Sequence, residues 1–219
     1  MSDVVIHSIP GSPFGRAVLI ALEEKGTGYR LAPVAPRTMR SPDHLARHPF
    51  GRVPVMDHGD FRLYESQAML RYVDRVWPQP ALTPPLPQAA ARMDQVMNIN
   101  DWYLFQGVAN VIVFQRVVAP RLMGLTPDEA AIAASMPKAH LVIDELARQL
   151  DGQSFFAGDS LSLADILLAP QLDYFEQTPE WQTLTAKHGN LHEWLARMQA
   201  RPSMIATTWE RVAALAEAA

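Results

Sequence analysis

Residues 78–88, PQPALTPPLPQ, constrain the fold of this chain more than any other stretch, because they contain five prolines and no charged residue. Proline lacks a backbone N–H and fixes its φ angle, so such a segment cannot continue a helix and it stiffens the backbone. The segment therefore predicts a linker between a first domain, residues 1–77, and a second domain, residues 89–219.

Before the linker, strand and helix patterns alternate. The expected elements are a strand at 3–9, a helix capped by Ser12, a strand at 29–34, a short helix near 42–47, a hairpin formed by VPVMD and FRLYE, and a helix capped by Ser66 that ends at Trp77. Ser is a favoured N-cap, and Pro13 fits the first helical position because its missing N–H would be unpaired there. The order β-α-β-α-β-β-α indicates a compact α/β domain.

Beyond the linker the sequence shows almost no strand pattern. The first expected helix runs from about 88 to 119 and stops at Pro120, and the second starts at a capping box, Thr126–Glu129, breaks or kinks at Pro137 and resumes to Leu150. A third starts at Ser162 with Asp165 as its capping partner, and a fourth runs from Asn190 to a stop before Pro202. The second domain is therefore predicted to be all-α.

The composition, 48% apolar and 19% charged, fits a soluble globular protein. No run approaches the roughly 20 apolar residues that a membrane span needs. The N-terminal stretch lacks the pattern of a secretory signal, so the cytoplasm is the expected compartment. The chain has no Cys, which excludes disulfides, thiolate metal sites and a protein thiol nucleophile.

Charge is distributed unevenly along the chain. Residues 1–77 carry 10 Lys and Arg against 8 Asp and Glu, whereas residues 78–219 carry 9 against 15. This pattern argues against nucleic-acid binding, which usually requires a strongly basic domain, and it is compatible with a small anionic ligand in the first domain. The seven histidines show no metal-ligand spacing, so we interpret them as structural or surface residues and expect no metal.

Three features of the first domain carry possible chemistry. Ser12 places a hydroxyl at the positive end of a helix, although a Ser at this position is often only a cap. Pro54 follows Val53 at a strand start, where a cis bond would leave the polar backbone groups of Val53 unpaired, although most such bonds are trans. Glu65 and Ser66 stand at another helix start and could hold an ammonium and a carboxylate, or could simply cap the helix.

The stretches SPFGRAVLIALEEKG, HPFGRVPV and DFRLYESQAMLRY resemble the glutathione S-transferases, in the variant with Ser at the start of the first helix. HPFGRVPVMDHGDFRLYES is most similar to the phi class. GDSLSLADILLAP and LARMQARPSM resemble two helical segments of the same family, so the resemblance covers almost the whole chain. It implies a thioredoxin-like α/β N-terminal domain, an all-α helical C-terminal domain and glutathione as cosubstrate.

The resemblance also implies roles for individual residues. Ser12 matches the family's catalytic hydroxyl, which donates a hydrogen bond to the glutathione sulfur and favours the thiolate. Val53, before the family's cis-Pro at Pro54, matches the residue whose backbone pairs with the cysteinyl part of glutathione. Glu65 and Ser66 match the residues that bind the γ-glutamyl group. Arg40 lies near the family's basic residue for the glycyl carboxylate, with Arg37 as an alternative, and Arg52 stands where the family often has Gln or Lys.

The expected partner of glutathione is a small hydrophobic electrophile, as in detoxification. Phe14, Phe105 and Phe114 are candidates for its pocket, although aromatic residues on a long helix are more often core. Alternatives are a non-catalytic protein that binds glutathione or an apolar ligand, and an isomerase, dehalogenase or peroxidase that uses glutathione on the same fold. Family members are mostly two-fold dimers, so the resemblance also implies a homodimer.

Overall fold

The computed structural model describes residues 3–217, which form two compact units. The first unit combines residues up to Leu82 with the segment from Ala200 onward, and the second unit is Thr83–Gln199. The division at Leu82 falls inside the expected proline-rich linker. The segment from Ala200 differs from the expectation, because the second domain was predicted to continue to residue 219.

Within the described residues, the first unit contains a four-stranded mixed sheet and five α-helices. Its elements are β1 (Val4–Ser8), α1 (Pro13–Glu24), β2 (Arg30–Pro33), α2 (Pro42–Leu45), β3 (Val55–His58), β4 (Phe61–Tyr64), α3 (Ser66–Val76), α11 (Pro202–Ala206) and α12 (Trp209–Glu217). The strand order is β2-β1-β3-β4, with β2 parallel to β1 and the other neighbours antiparallel. The predicted order β-α-β-α-β-β-α and the thioredoxin-like character of this unit are confirmed.

The core of the first unit lies between the sheet and α1. Val4 and Ile6 of β1 are buried, and every residue of α1 from Ala17 to Leu22 is buried as well. A helix that is apolar all round must be covered on more than one side. Helix α1 meets this condition because it packs against both α3 and α11.

Polar contacts attach the segment from Ala200 to α1. Arg201 donates to both carboxylate oxygens of Glu24 at 2.7 Å, and Ser203 donates to the same carboxylate. Burial acts to raise the pKa of Glu24, but the hydrogen bonds from Arg201 and Ser203 and the charge of Arg201 outweigh it and lower the pKa. At the other end of α1, Arg16 Nη2 donates to the Met204 carbonyl at 3.2 Å. These long-range bonds explain why this segment belongs to the first unit.

The second unit is helical, as predicted. Its elements are α4 (Pro87–Ile99), a π-helical segment (Asn100–Ala109), α5 (Asn110–Val113), a second π-helical segment (Phe114–Val118), α6 (Ala119–Met123), α7 (Glu129–Leu150), α8 (Leu163–Phe175), α9 (Pro179–Thr185) and α10 (Gly189–Gln199). Almost every residue of α8 is buried. This helix is therefore the centre of the unit's core.

The continuous helix predicted from 88 to 119 is wrong in detail. Gln106 and Gly107 have non-helical backbone angles, and the φ of Gly107 is +79°, which favours glycine. The Asn110 side chain accepts the N–H of Gly107 at 2.6 Å, and Lys138 of α7 donates to the carbonyl of Gln106. Pro120 lies in the first turn of α6 and does not end a helix.

The predicted start of α7 also needs correction. Asp128, and not Thr126, caps α7, because its carboxylate accepts the N–H of Ala131 at 3.0 Å. Helix α7 continues through Pro137. The pairing of Ser162 with Asp165 is confirmed, since Asp165 Oδ2 accepts the N–H of Ser162 at 2.9 Å. Within residues 3–217, none of the helices is both long enough and apolar enough to cross a membrane.

Candidate active site

Ser12 stands where β1 turns into α1. The turn is closed by the N–H of Ser12, which donates to the carbonyl of Ile9 at 3.0 Å. The Oγ of Ser12 accepts the N–H of Gly15 at 3.1 Å and so caps α1, as predicted. Because this bond uses the oxygen as an acceptor, the hydroxyl proton stays available, and it has no acceptor among residues 3–217. The half-buried hydroxyl thus lies at the positive end of a helix.

Val53 precedes a cis peptide bond to Pro54. The sheet ladder begins two residues later at Val55, so Val53 lies outside it. The imidazole Nε2 of His44, a buried residue of α2, donates to the carbonyl of Arg52 at 2.8 Å and holds the backbone that enters Val53. Val53 is half-buried and Pro54 is buried.

Glu65 and Ser66 form the start of α3, but not in the expected way. Ser66 is the first helical residue, and the cap position is occupied by Glu65, whose side chain makes no capping bond. Glu65 has φ +74°, the one positive φ at a non-glycine residue in the described part of the chain. Such a conformation costs about 1–3 kcal/mol and is typical of ligand-binding positions. The exposed carboxylate of Glu65 and the buried Ser66 therefore flank a helix start, where the first N–H groups have no partner within the helix itself.

The sheet register brings these three features to one end of the sheet. His7 pairs with Val55, and Val55 pairs with Tyr64, so the end of β1, the start of β3 and the end of β4 are adjacent. Ser12 follows β1, Val53 and Pro54 precede β3, and Glu65 follows β4. A hydroxyl, a backbone segment outside the hydrogen-bonding ladder of the sheet and a helix N-terminus thus share one edge of the first unit.

The arginines differ in their packing. The Cδ and Nη1 atoms of Arg40 lie 3.3 and 3.4 Å from the position that a Cβ on Gly51 would take, so the side chain lies beside the segment that leads to Val53. Arg52 is exposed. Arg37 is also exposed and belongs to a 3-10 turn, Pro36–Thr38.

The three aromatic candidates are half-buried. Phe14 lies in the first turn of α1, in the first unit. Phe105 and Phe114 lie in the two π-helical segments of the second unit.

The histidines show no cluster with metal-binding geometry. Within residues 3–217 there is no group of three or more His, Cys, Asp or Glu side chains that could hold a metal ion. His48 is buried beside Tyr64, with ring centroids 4.8 Å apart. Burial lowers the pKa of His48, the charge of Glu65 opposes this, and the charges of His44 and Arg52 add to it. His44 and His48 are among the histidines that the sequence indicates to be structural or surface residues, and no sequence signal links them to the segment around Val53.

Family models match two stretches of the chain. The model of the glutathione S-transferase N-terminal domain matches residues 11–76, and that of the C-terminal domain matches residues 108–202. Glutathione S-transferase 4 of Zea mays is 32% identical over 200 residues, which cover 88% of this chain and 86% of that protein. The chain belongs to the glutathione S-transferase family. A glutathione S-transferase of Hyoscyamus muticus is 30% identical over 90% of this chain and 94% of its own length.

Solved structures of glutathione S-transferases agree with this assignment. Glutathione transferase F2 from Populus trichocarpa superposes with a TM-score of 0.83 at 26% identity, covering 99% of this chain and 100% of that one. Glutathione S-transferase-I bound with lactoylglutathione has a TM-score of 0.82 at 28% identity, covering 98% and 100%. The predicted family, its phi-like character and its two-part fold are confirmed.

Proposed function

We propose that this chain is a glutathione transferase in which Ser12 activates the thiol of glutathione. The observation that carries the proposal is the geometry of Ser12, whose oxygen caps α1 through the Gly15 N–H while its proton remains available. A hydrogen bond donated to a thiolate lowers the pKa of the thiol, and the helix N-terminus acts in the same direction. A free thiol has a pKa of about 8.5, so a decrease of about two units makes the thiolate dominant at neutral pH.

The reaction that follows is nucleophilic substitution or addition on an apolar electrophile. With an aromatic chloride, the thiolate sulfur forms a bond to the ring carbon, chloride leaves with the bonding electrons, and the thiol proton has already passed to solvent. Here the nucleophile belongs to the cosubstrate, and the protein supplies its activation. Phe14, Phe105 and Phe114 remain the proposed contacts of the electrophile.

The glutathione tripeptide is proposed to bind along the edge shared by the three features. The backbone of Val53 pairs with the cysteinyl unit as an added strand would. The carboxylate of Glu65 takes the γ-glutamyl ammonium, and the Ser66 hydroxyl with the N–H groups of α3 takes its carboxylate. Arg40 takes the glycyl carboxylate, a choice supported by its packing beside Gly51, and Arg52 adds positive charge.

The protein is further proposed to act as a homodimer in the cytoplasm and to contribute to detoxification. Closed two-fold symmetry is the commonest arrangement of soluble oligomers, which supports the dimer. The cytosol is a compartment in which glutathione keeps thiols reduced, which supports the location. Size-exclusion chromatography with light scattering measures the oligomeric state directly.

A conjugation assay with glutathione and an activated aromatic chloride tests the proposal. We expect Ser12→Ala to lower kcat/KM about 25-fold near pH 7, because a rise of the thiol pKa from about 6.5 to about 8.5 reduces the thiolate fraction from about 0.76 to about 0.03. Ser41→Ala is the matched control, because Ser41 is also an N-cap before a proline and accepts the His44 N–H at 3.3 Å. Both substitutions remove a cap, but only the first removes the activating hydroxyl.

Three other results would contradict parts of this proposal. If the wild-type protein binds glutathione but neither conjugates nor reduces any electrophile, the protein is a binding module. If Ser12→Ala and Ser41→Ala behave alike, another group activates the thiol. Glu65→Ala should weaken glutathione binding in calorimetry, and unchanged affinity would show that Glu65 does not contact the ligand.

A further inference from the structure

Trp209, the first residue of α12, lies directly against the turn that precedes Ser12. Three indole carbons, Cε3, Cζ3 and Cη2, are each 2.6 Å from the position that a Cβ on Gly11 would take. The indole therefore touches the Cα of Gly11 with no room for a side chain between them. Trp209 is only 7% exposed, and both residues belong to the first unit.

Gly11 is the residue through which this contact acts on Ser12. Its φ is +88°, a conformation that other residues rarely adopt, so glycine is needed there for its backbone as well as for its size. Glycine is also the residue with the greatest conformational freedom, so the turn is fixed by its contacts and not by glycine itself. These contacts are the hydrogen bond from the Ser12 N–H to the Ile9 carbonyl and the packing of Trp209. Consecutive Cα atoms are about 3.8 Å apart, so a shift of Gly11 moves Ser12 as well.

Hydrogen bonds hold the segment that carries Trp209 against α1. Arg201 and Ser203 bind Glu24 at the end of α1, and Arg16 near its start binds the Met204 carbonyl. The buried hydroxyl of Thr207 donates to the Ser203 carbonyl at 2.8 Å. Thr207 lies in the two-residue connection between α11 and α12, so this bond links that connection to α11. The segment that carries Trp209 is thus bonded to both ends of the helix that Ser12 caps.

We infer that Trp209 is a positioning residue for Ser12: its indole restrains Gly11 and thereby fixes the direction of the Ser12 hydroxyl toward the glutathione sulfur. This inference rests on the proposed function, because it assumes that Ser12 is the activating hydroxyl. A hydroxyl that samples several directions stabilises the thiolate less than a fixed one. Loss of half of a two-unit decrease in thiol pKa would raise that pKa by about one unit.

The test is the pKa of the bound glutathione thiol, followed through the ultraviolet absorbance of the thiolate as a function of pH. Trp209→Ala should raise this pKa by about one unit and lower kcat/KM about tenfold at a pH below it. Trp209→Phe, with a shorter ring, should give a smaller rise. Val212→Ala, a buried position on the same helix, should give no rise if the effect belongs to the indole and not to the docking of α12.

The double variant Ser12→Ala with Trp209→Ala isolates the route of the effect. If Trp209 acts through Ser12, the double variant has the same thiol pKa as Ser12→Ala alone, so the two changes are not additive. An equal rise in both backgrounds overturns the inference, as does a rise of the same size in Val212→Ala. If Trp209→Ala does not fold, Trp209→Phe and Trp209→Leu are compared in the same two backgrounds.

The same pKa measurements distinguish a wrong role for Ser12 from a wrong role for Trp209. A thiol pKa that is identical in the wild type and in Ser12→Ala contradicts the assignment of the activating hydroxyl, whatever Trp209 does. A thiol pKa that rises in Ser12→Ala but not in any Trp209 variant leaves the function intact and overturns the positioning role. Calorimetric titration with glutathione shows that each variant is compared in its bound state.

Discussion

Gly15 of α1 packs directly on Ser8 of β1, so closely that a Cβ on Gly15 would overlap the Oγ of Ser8. Ser8 is fully buried at the end of its strand, and Gly15 supplies the N–H that Ser12 accepts. Gly15 therefore connects the first turn of α1 both to the sheet, through its packing on Ser8, and to the candidate catalytic hydroxyl, through its N–H.

Gly15→Ala should consequently destabilise the protein. Overpacking of a well-filled core costs typically about 1–3 kcal/mol. The Ser8 hydroxyl can rotate away from the added Cβ, but the Ser8 Cβ is fixed to a buried strand and lies 3.1 Å from it. Gly189→Ala in α10 is the matched control, because no atom lies within 4 Å of its added Cβ, and it should be neutral or slightly stabilising. Urea unfolding of both variants measures the difference; equal midpoints would contradict the contact with Ser8.

The buried ion pair of Lys25 and Asp74 should contribute strongly to stability. Lys25 Nζ lies 2.6 Å from Asp74 Oδ1, its side chain is fully buried, and it also donates to the carbonyl of Pro80. Lys25→Met leaves a largely buried carboxylate without its cation, which costs about 3–5 kcal/mol. Arg148→Ala, which breaks an exposed ion pair with Glu145 on α7, should change unfolding very little. A Lys25→Met midpoint as close to wild type as that of Arg148→Ala would contradict the prediction.

Asp165 should be among the residues of the second unit most sensitive to substitution. It is fully buried, and its two oxygens accept from the N–H of Phe156, from the N–H and hydroxyl of Ser162, and from the indole N–H of Trp194, at 2.7–2.9 Å. Asp165→Ala leaves these donors unpaired, at a cost of about 4 kcal/mol. Ser162→Ala, which removes one cap hydroxyl, should cost about 1 kcal/mol. Thermal unfolding distinguishes the two, and similar midpoints would contradict the central role of Asp165.

Local patterns were sufficient to predict most elements of the first unit. Alternating apolar residues, the Ser-Pro starts at Ser12 and Ser41, and the turn between β3 and β4 are encoded within a few residues. The motifs around Ser12, Val53 and Glu65 predicted the family, and the family then predicted their roles, which remain proposals.

Other features depend on contacts that no short window contains. The break at Gln106 and Gly107 is stabilised by Lys138, which is 32 residues away. The place of α11 in the first unit depends on Arg201 and Glu24, which are 177 residues apart. The positive φ of Glu65 has no sequence signal, because a glutamate rarely adopts it, and the contact of Trp209 with Gly11 joins two ends of the chain.

His48 should make stability depend on pH in the mildly acidic range. The residue is 2% exposed, and its buried Nδ1 has no hydrogen-bond partner among residues 3–217. Burial lowers its pKa; Glu65 opposes this change, and His44 and Arg52 reinforce it. An unfolded histidine titrates near pH 6.5, so below about that pH the unfolded chain binds a proton that the folded chain does not yet bind. The free energy of unfolding therefore falls as the pH decreases from about 6.5 through the lowered pKa of His48.

His48→Gln should remove the part of the pH dependence that comes from His48. The loss of stability between pH 7.5 and pH 5 then becomes smaller than in the wild type. Each of these pH values lies about one unit or more from the pKa of an unfolded histidine. Urea unfolding at the two pH values measures it, without glutathione, so that no bound carboxylate changes the charges around the ring. His140→Gln, at an exposed position of α7, is the matched control and should leave the difference as it is in the wild type. If His48→Gln also leaves it unchanged, the protonation of His48 is not coupled to folding. The carboxylates whose pKa values the fold lowers, Glu24 and Asp57 among them, lose their stabilisation only below about pH 5, so they do not contribute to the difference between these two pH values.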